Sequence, residues 1–172
     1  LTRLPPILRR PIRAGEVHKV LRHELTHRAE NFLQLMRDGV FRNPASPYLR
    51  LLKLVGCELG DLNHLVVKEG LEEALQVLFR KGVYLTVEES KGRRAVVRGS
   101  ARFHVIPDDM RNPAMRVDLI STTGGSRGPG SPVPIELSTL RDHAMEIFVD
   151  LEVKNGFSWV GATWSVPGGG NL

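Results

Sequence analysis

Between Ile120 and Ile135 the chain reads ISTTGGSRGPGSPVPI, a run of glycine, serine and threonine flanked by apolar residues. Glycines at 124, 125, 128 and 130 can adopt positive φ, so successive backbone N–H groups can turn inward as an anion-binding nest. Ser121, Thr122, Thr123 and Ser126 add hydroxyl donors, and Arg127 adds a fixed charge with a fork of donors suited to phosphate. Two well-known phosphate signatures do not fit. Gly125 and Gly130 have the Walker A spacing, but Ser131 stands where the lysine is needed, and a dinucleotide fingerprint begun at Gly128 meets Val133 in place of its third glycine. Composition alone leaves a surface linker open as the alternative.

A second constellation, His23-Glu24-Leu25-Thr26-His27, matches HExxH, which on a helix sets two imidazoles on one face for zinc with the glutamate as general base. Zinc catalysis also needs a third protein ligand, and Leu33 occupies the metzincin position. His23 and His27 share a polar stripe with Lys19, Glu30, Gln34 and Arg37, which favours a solvated pair and predicts no metal site. A zinc-dependent hydrolase is the alternative. Cys57 is the single cysteine, so no intrachain disulfide is possible and a buried structural thiol is expected rather than a nucleophile.

These residues need elements to hold them. Val17, Leu21, Leu25, Ala29, Phe32 and Met36 form one stripe at helical spacing, predicting a single amphipathic helix from Gly15 to about Asp38. Ser46 and Pro47 form an N-cap and N1 pair for a short helix through Val55, stopped by Gly56, and residues 71–80 (LEEALQVLFR) predict another helix stopped by Gly82. The period then changes. Residues 83–87 read as a strand, and residues 94–98 and 101–106 as a hairpin turning at Gly99-Ser100, with Ala95, Val97, Phe103 and Val105 on one face. After an irregular crossing at residues 108–113, residues 117–120 (VDLI) and 133–137 read as strands on either side of the glycine loop. Ser138 is then the expected N-cap of a helix over residues 139–154, with Leu140, Ala144, Ile147, Phe148 and Leu151 as its apolar stripe. A further apolar segment follows around residues 157–164.

The arrangement resembles the adenylate-forming enzymes, in the branch of phenylacetate-CoA ligases, coenzyme F390 synthetase-like proteins and acyl-protein synthetases. Their phosphate loop has the form Ser/Thr-Gly-Ser/Thr-Thr-Gly-x-Pro. Here Thr123, Gly124 and Pro129 match it, while Gly125 and Ser126 replace the hydroxyl pair, Arg127 replaces the second glycine and Gly130 replaces a lysine. Residues 41–62 (FRNPASPYLRLLKLVGCELGDL), with a Tyr-x-x-Leu helix, a glycine and an acidic turn, look like a segment near the start of that branch. GVYLTVEESKGRR, VVRGS and the loop follow in the order expected, so the resemblance covers roughly residues 30–172. It implies an α/β fold: a helical N-terminal segment, a β-hairpin and the start of a layered sheet carrying the loop, with residues 15–172 the N-terminal part of an incomplete domain.

The resemblance further implies a ligase that activates a carboxylic acid with ATP and Mg²⁺ and passes the acyl group to a thiol or protein acceptor. Thr122, Thr123, Gly124, Gly125, Ser126, Arg127 and Gly128 would hold ATP phosphates. The remaining part of such an enzyme, C-terminal to residue 172, would carry the adenine, Mg²⁺ and lysine functions, leaving this fragment inactive alone.

Composition sets the outer limits. The chain has 172 residues, 41% hydrophobic and 25% charged, ordinary values for a globular protein. Its net charge is +5, with arginines crowded among Pro5, Pro6 and Pro11 in residues 1–14, which predicts an extended basic arm. No aromatic-rich strand or reader motif accompanies that charge, so nucleic acid is not the expected partner, and a non-catalytic basic interaction module is a third reading. No apolar run reaches the length of a membrane span, and the lone cysteine fits a reducing, cytoplasmic setting.

Overall fold

The structure is a computed structural model that describes residues 9, 12–122 and 132–161. It is mixed α and β, more than half helical, with two small antiparallel sheets among the described residues. The chain divides into two compact units, one of His23–Ala114 and one that combines the chain up to Arg22 with the chain from Met115. The boundary falls inside the first helix, α1 (Ala14–Thr26).

In the His23–Ala114 unit, α1 is followed by α2 (Arg28–Leu35) and a π-helical turn (Met36–Phe41), where a single helix was expected. The difference lies at His27, whose φ of −99° and ψ of 13° leave the helical region. Helical bonds continue on both sides, from His27 N to the His23 carbonyl and from Asn31 N to the His27 carbonyl, so the helix bends there. Leu25, on the expected apolar stripe, is exposed.

Helix α3 (Pro47–Leu54) starts at Ser46 with Pro47 at N1 and closes before Gly56, whose φ is +63°, as expected. The acidic turn after it is the start of an unexpected helix, α4 (Leu59–Glu69), where Glu58 and Asp61 form a reciprocal capping box. Helix α5 (Leu71–Arg80) has the predicted bounds. Leu52, Leu62, Val66, Ala74 and Leu78 from α3, α4 and α5 form one buried cluster, with Phe32, Met36 and Phe41 packed against it. Each buried leucine contributes about 1.5–3 kcal/mol, so packing rather than propensity holds these short helices.

The strand expected at residues 83–87 is not formed. Thr86 instead caps a one-turn helix, α6 (Val87–Ser90), and Glu89 reaches back to the Thr86 N–H. The following hairpin is as predicted in place but not in facing: β1 (Val96–Arg98) pairs with β2 (Ala101–Phe103) around Gly99-Ser100. The register sets Val96 opposite Phe103, so Val96, Phe103 and Val105 share the buried face and Val97 points to solvent. A 3₁₀ turn (Pro107–Met110) then occupies the irregular crossing.

The other unit holds β3 (Leu119–Thr122) antiparallel to β4 (Pro132–Ile135), then α7 (Leu137–Val153). Helix α7 begins at Glu136 rather than Ser138. Its buried residues are Leu137 and Met145, whereas Ile147 of the expected stripe is exposed. The N-terminal half of α1 is tied to α7 by Arg141 to Glu16 at 2.8 Å and His18 to Glu152 at 3.0 Å. The expected arm lies almost wholly, and the segment at 157–164 partly, outside the described residues.

Candidate functional site

The glycine loop is framed by a local arrangement that holds its two ends together. Strands β3 and β4 pair in the register Leu119↔Ile135, Ile120↔Pro134, Ser121↔Val133 and Thr122↔Pro132. Residues 123–131 therefore connect a hairpin whose last pair has Cα atoms about 4.5–5.5 Å apart. Of the candidate residues, Thr122 is described and exposed; Thr123, Gly124, Gly125, Ser126, Arg127 and Gly128 lie outside the described residues.

Below the loop, the foot of the hairpin is fixed by Asp118. Its buried carboxylate accepts the Leu137 N–H at 3.0 Å, the first amide of α7, and lies 3.2 Å from Arg116 Nε. The Asp118 amide donates to the Ile135 carbonyl at 2.9 Å. One residue thus joins β3, β4 and the N-terminus of α7, where a carboxylate also meets the favourable end of the helix dipole. Sequence reasoning passed over Asp118 because its partner is far along the chain and no local spacing links them.

Of the HExxH residues, His23 to Thr26 form the last turn of α1 and His27 stands between α1 and α2. The rings of His23 and His27 are 4.1 Å apart, and His27 Nδ1 donates to the His23 carbonyl at 2.8 Å. Glu24 accepts from Asn31 Nδ2 at 2.7 Å. Among the described residues, no third His, Cys, Asp or Glu joins the two histidines in a group able to hold a metal ion.

Two further groups show how burial acts on chemistry here. Cys57 is half-buried rather than buried as expected, and its thiol is pushed up by burial and by Asp61, with Lys81 opposing, which keeps it protonated and a poor nucleophile. Glu89 is held at about 2, first by hydrogen bonds from Arg98, against its burial, and further by Thr86. Arg98 gives Nη1 to Glu89 Oε1 at 3.0 Å, Nε to the Gly82 carbonyl at 2.9 Å and Nη2 to the Tyr84 carbonyl at 2.7 Å, and it stacks on the Tyr84 ring. With its donors spent on backbone and carboxylate, this pair fixes residues 82–89 to the first hairpin and offers nothing to a substrate. No family model matches the chain, and no curated protein or solved structure resembles it significantly.

Proposed function

We propose that the chain is part of an ATP-dependent, carboxylate-activating ligase in which Thr122, Thr123, Gly124, Gly125, Ser126, Arg127 and Gly128 receive ATP phosphates. The observation that supports this reading is the frame: β3 and β4 pair as far as Thr122↔Pro132, so the two residues that flank the glycine run are held side by side. Its donor set of amides, hydroxyls and one guanidinium suits an anion. Mg²⁺, which the resemblance implies for the whole enzyme, would neutralise charge on the ATP phosphates, and among the described residues no group that could hold it assembles.

In the reaction, a carboxylate oxygen attacks the α-phosphorus of ATP, the bond to the bridging oxygen breaks, and pyrophosphate leaves with that electron pair. Donors aimed at the β and γ phosphates stabilise the charge that grows there, the effect by which a fixed loop accelerates such a step. A thiol or protein acceptor then displaces AMP from the acyl-adenylate.

The test is carboxylate-dependent exchange of pyrophosphate into ATP by the whole ligase polypeptide. Gly124→Val should lower exchange by about a hundredfold, because a β-branched residue resists positive φ and blocks close approach of phosphate. Unchanged exchange in a folded variant would remove the loop from the mechanism and leave the linker reading.

A further inference from the structure

Beside the main core of the His23–Ala114 unit lies a cavity of about 400 Å³, and its walls are mostly apolar, among them Phe32, Met36, Val40, Leu78 and Val83. Leu78 belongs to the buried cluster and the other four pack against it, so the space is formed by the core itself. Part of the wall is the π-helical turn, an irregularity that recurs where a helix shapes a site. Within that turn stands Gly39. A Cβ there would lie 3.6 Å from Leu35 Cδ1 and 3.7 Å from Asn112 Oδ1, ordinary contacts, and the position has no positive φ, so neither crowding nor backbone geometry calls for glycine. What the missing side chain leaves is room in the cavity.

Two polar groups in this wall lack the partners expected of them. Ser46 is 5% exposed and N-caps α3, where its hydroxyl would ordinarily accept an amide of the first turn. It makes no such bond, and none joins it to another described residue. Every side-chain polar atom sealed from solvent among the described residues has a partner, so the unpaired Ser46 hydroxyl opens on the cavity it lines. The second group is Asp109. It and Arg111 are the only charged residues lining the cavity among the described residues; Arg111 Nη2 is held 3.0 Å from Asp108 Oδ1, whereas the half-buried Asp109 carboxylate has no cation of its own there. The local charge is therefore negative, and the Phe32 and Tyr48 rings add surfaces that favour a cation.

We infer that this cavity binds a small apolar amine that carries a hydroxyl group: the ammonium pairs with Asp109, the hydrocarbon body fills the space beside Gly39, and the hydroxyl bonds Ser46. A volume of about 400 Å³ suits a small molecule and is too little for a helix about 10 Å across. A carboxylate in place of the amine would meet the Asp109 charge with only a neutralised guanidinium to answer it. The inference rests on residues 32–112 and stands whether or not the glycine loop receives phosphate.

Tyramine is the probe, its binding followed by methyl and amide NMR shifts of the 172-residue chain at neutral pH. Saturable shifts are expected at Val40, Leu78, Val83 and the Gly39 amide. The carboxylate counterpart, hydroxyphenylpropanoate, should bind at least about tenfold more weakly, and Asp109→Asn should weaken tyramine by a similar factor. Ser46→Ala should cost tyramine about threefold to tenfold and leave phenethylamine, which lacks the hydroxyl, unchanged. Neither substitution removes a side-chain bond present in the chain, so both variants should fold. Gly39→Leu should fill the cavity and abolish the shifts. Equal or tighter binding of the carboxylate would overturn the inference, as would tyramine affinity that both Asp109→Asn and Ser46→Ala leave unchanged, or the absence of saturable shifts. Methyl contacts in the free chain between the cavity wall and residues outside 23–114 would also overturn it, by making the chain itself the occupant.

Discussion

The two hairpins of this chain use strands of three or four residues each, and they are stabilised in opposite ways. In β1/β2 a tight Gly99-Ser100 turn fixes the register, Val96 and Phe103 are buried with Leu51 and Val105, and Arg98 bolts the strand to Glu89 and two backbone carbonyls. In β3/β4 a long glycine connection replaces the turn, no residue of either strand is fully buried, and the fastening lies at the foot, through Asp118. The first hairpin serves as packed scaffold. The second is partly exposed along both strands and held at its foot. Short strands acquire their role from what buries them, not from their own length.

The sharpest way to break this comparison is to remove the bolt. Arg98→Met should destabilise the chain by about 3–5 kcal/mol in urea unfolding, because Glu89 keeps a buried charge whose main partner is gone. Adding Glu89→Gln should recover part of the loss by removing that charge. In the second hairpin, Arg116→Met should cost no more than about 1 kcal/mol, since Arg116 is largely exposed and Asp118 keeps the Leu137 amide. Equal losses in the two hairpins would contradict the distinction drawn between them.

Acid should act next in size and on the same hairpin. The Glu89 pKa is lowered from an ordinary 4.5 to about 2 in the folded chain, so the unfolded chain binds this proton first as pH falls. Its stabilising contribution is fully present above about pH 5 and is lost as pH falls toward 2, a total of about 3 kcal/mol. Urea midpoints measured across that window should fall for the parent chain, and the Glu89→Gln variant should lack this part of the decline. A parallel decline in both would assign the acid sensitivity to other carboxylates.

Much of the scaffold was legible in the residues themselves. Ser46-Pro47, the period of residues 71–80 and Gly99-Ser100 each carry their structure within a few positions, and each element formed there. The errors have equally local causes. Leu85 and Val87 suggested a strand, yet Thr86 and Glu89 already spelled a capping box, and that signal prevailed. The hairpin turn was right, but its register exchanged Val97 for Val96 on the buried face. The frame of the candidate site was legible as two strands around a loop; its fastening was not, because Asp118 and the amide of Leu137 meet only after the chain folds back.

The smallest expected effect is the most direct comparison of the two strands, one threonine substitution in each. Val96→Thr keeps nearly the same shape and sets a hydroxyl at a position with no solvent exposure, among Leu51, Phe103 and Val105. An unpaired buried hydroxyl costs about 1–3 kcal/mol, and the loss should be visible in the urea midpoint. Ile120→Thr sets the same group on a side chain already facing water, opposite Pro134, so stability should move by less than about 0.5 kcal/mol. If Ile120→Thr unfolded the chain as readily as Val96→Thr, β3 would be part of a core, and the two hairpins would not differ in what stabilises them.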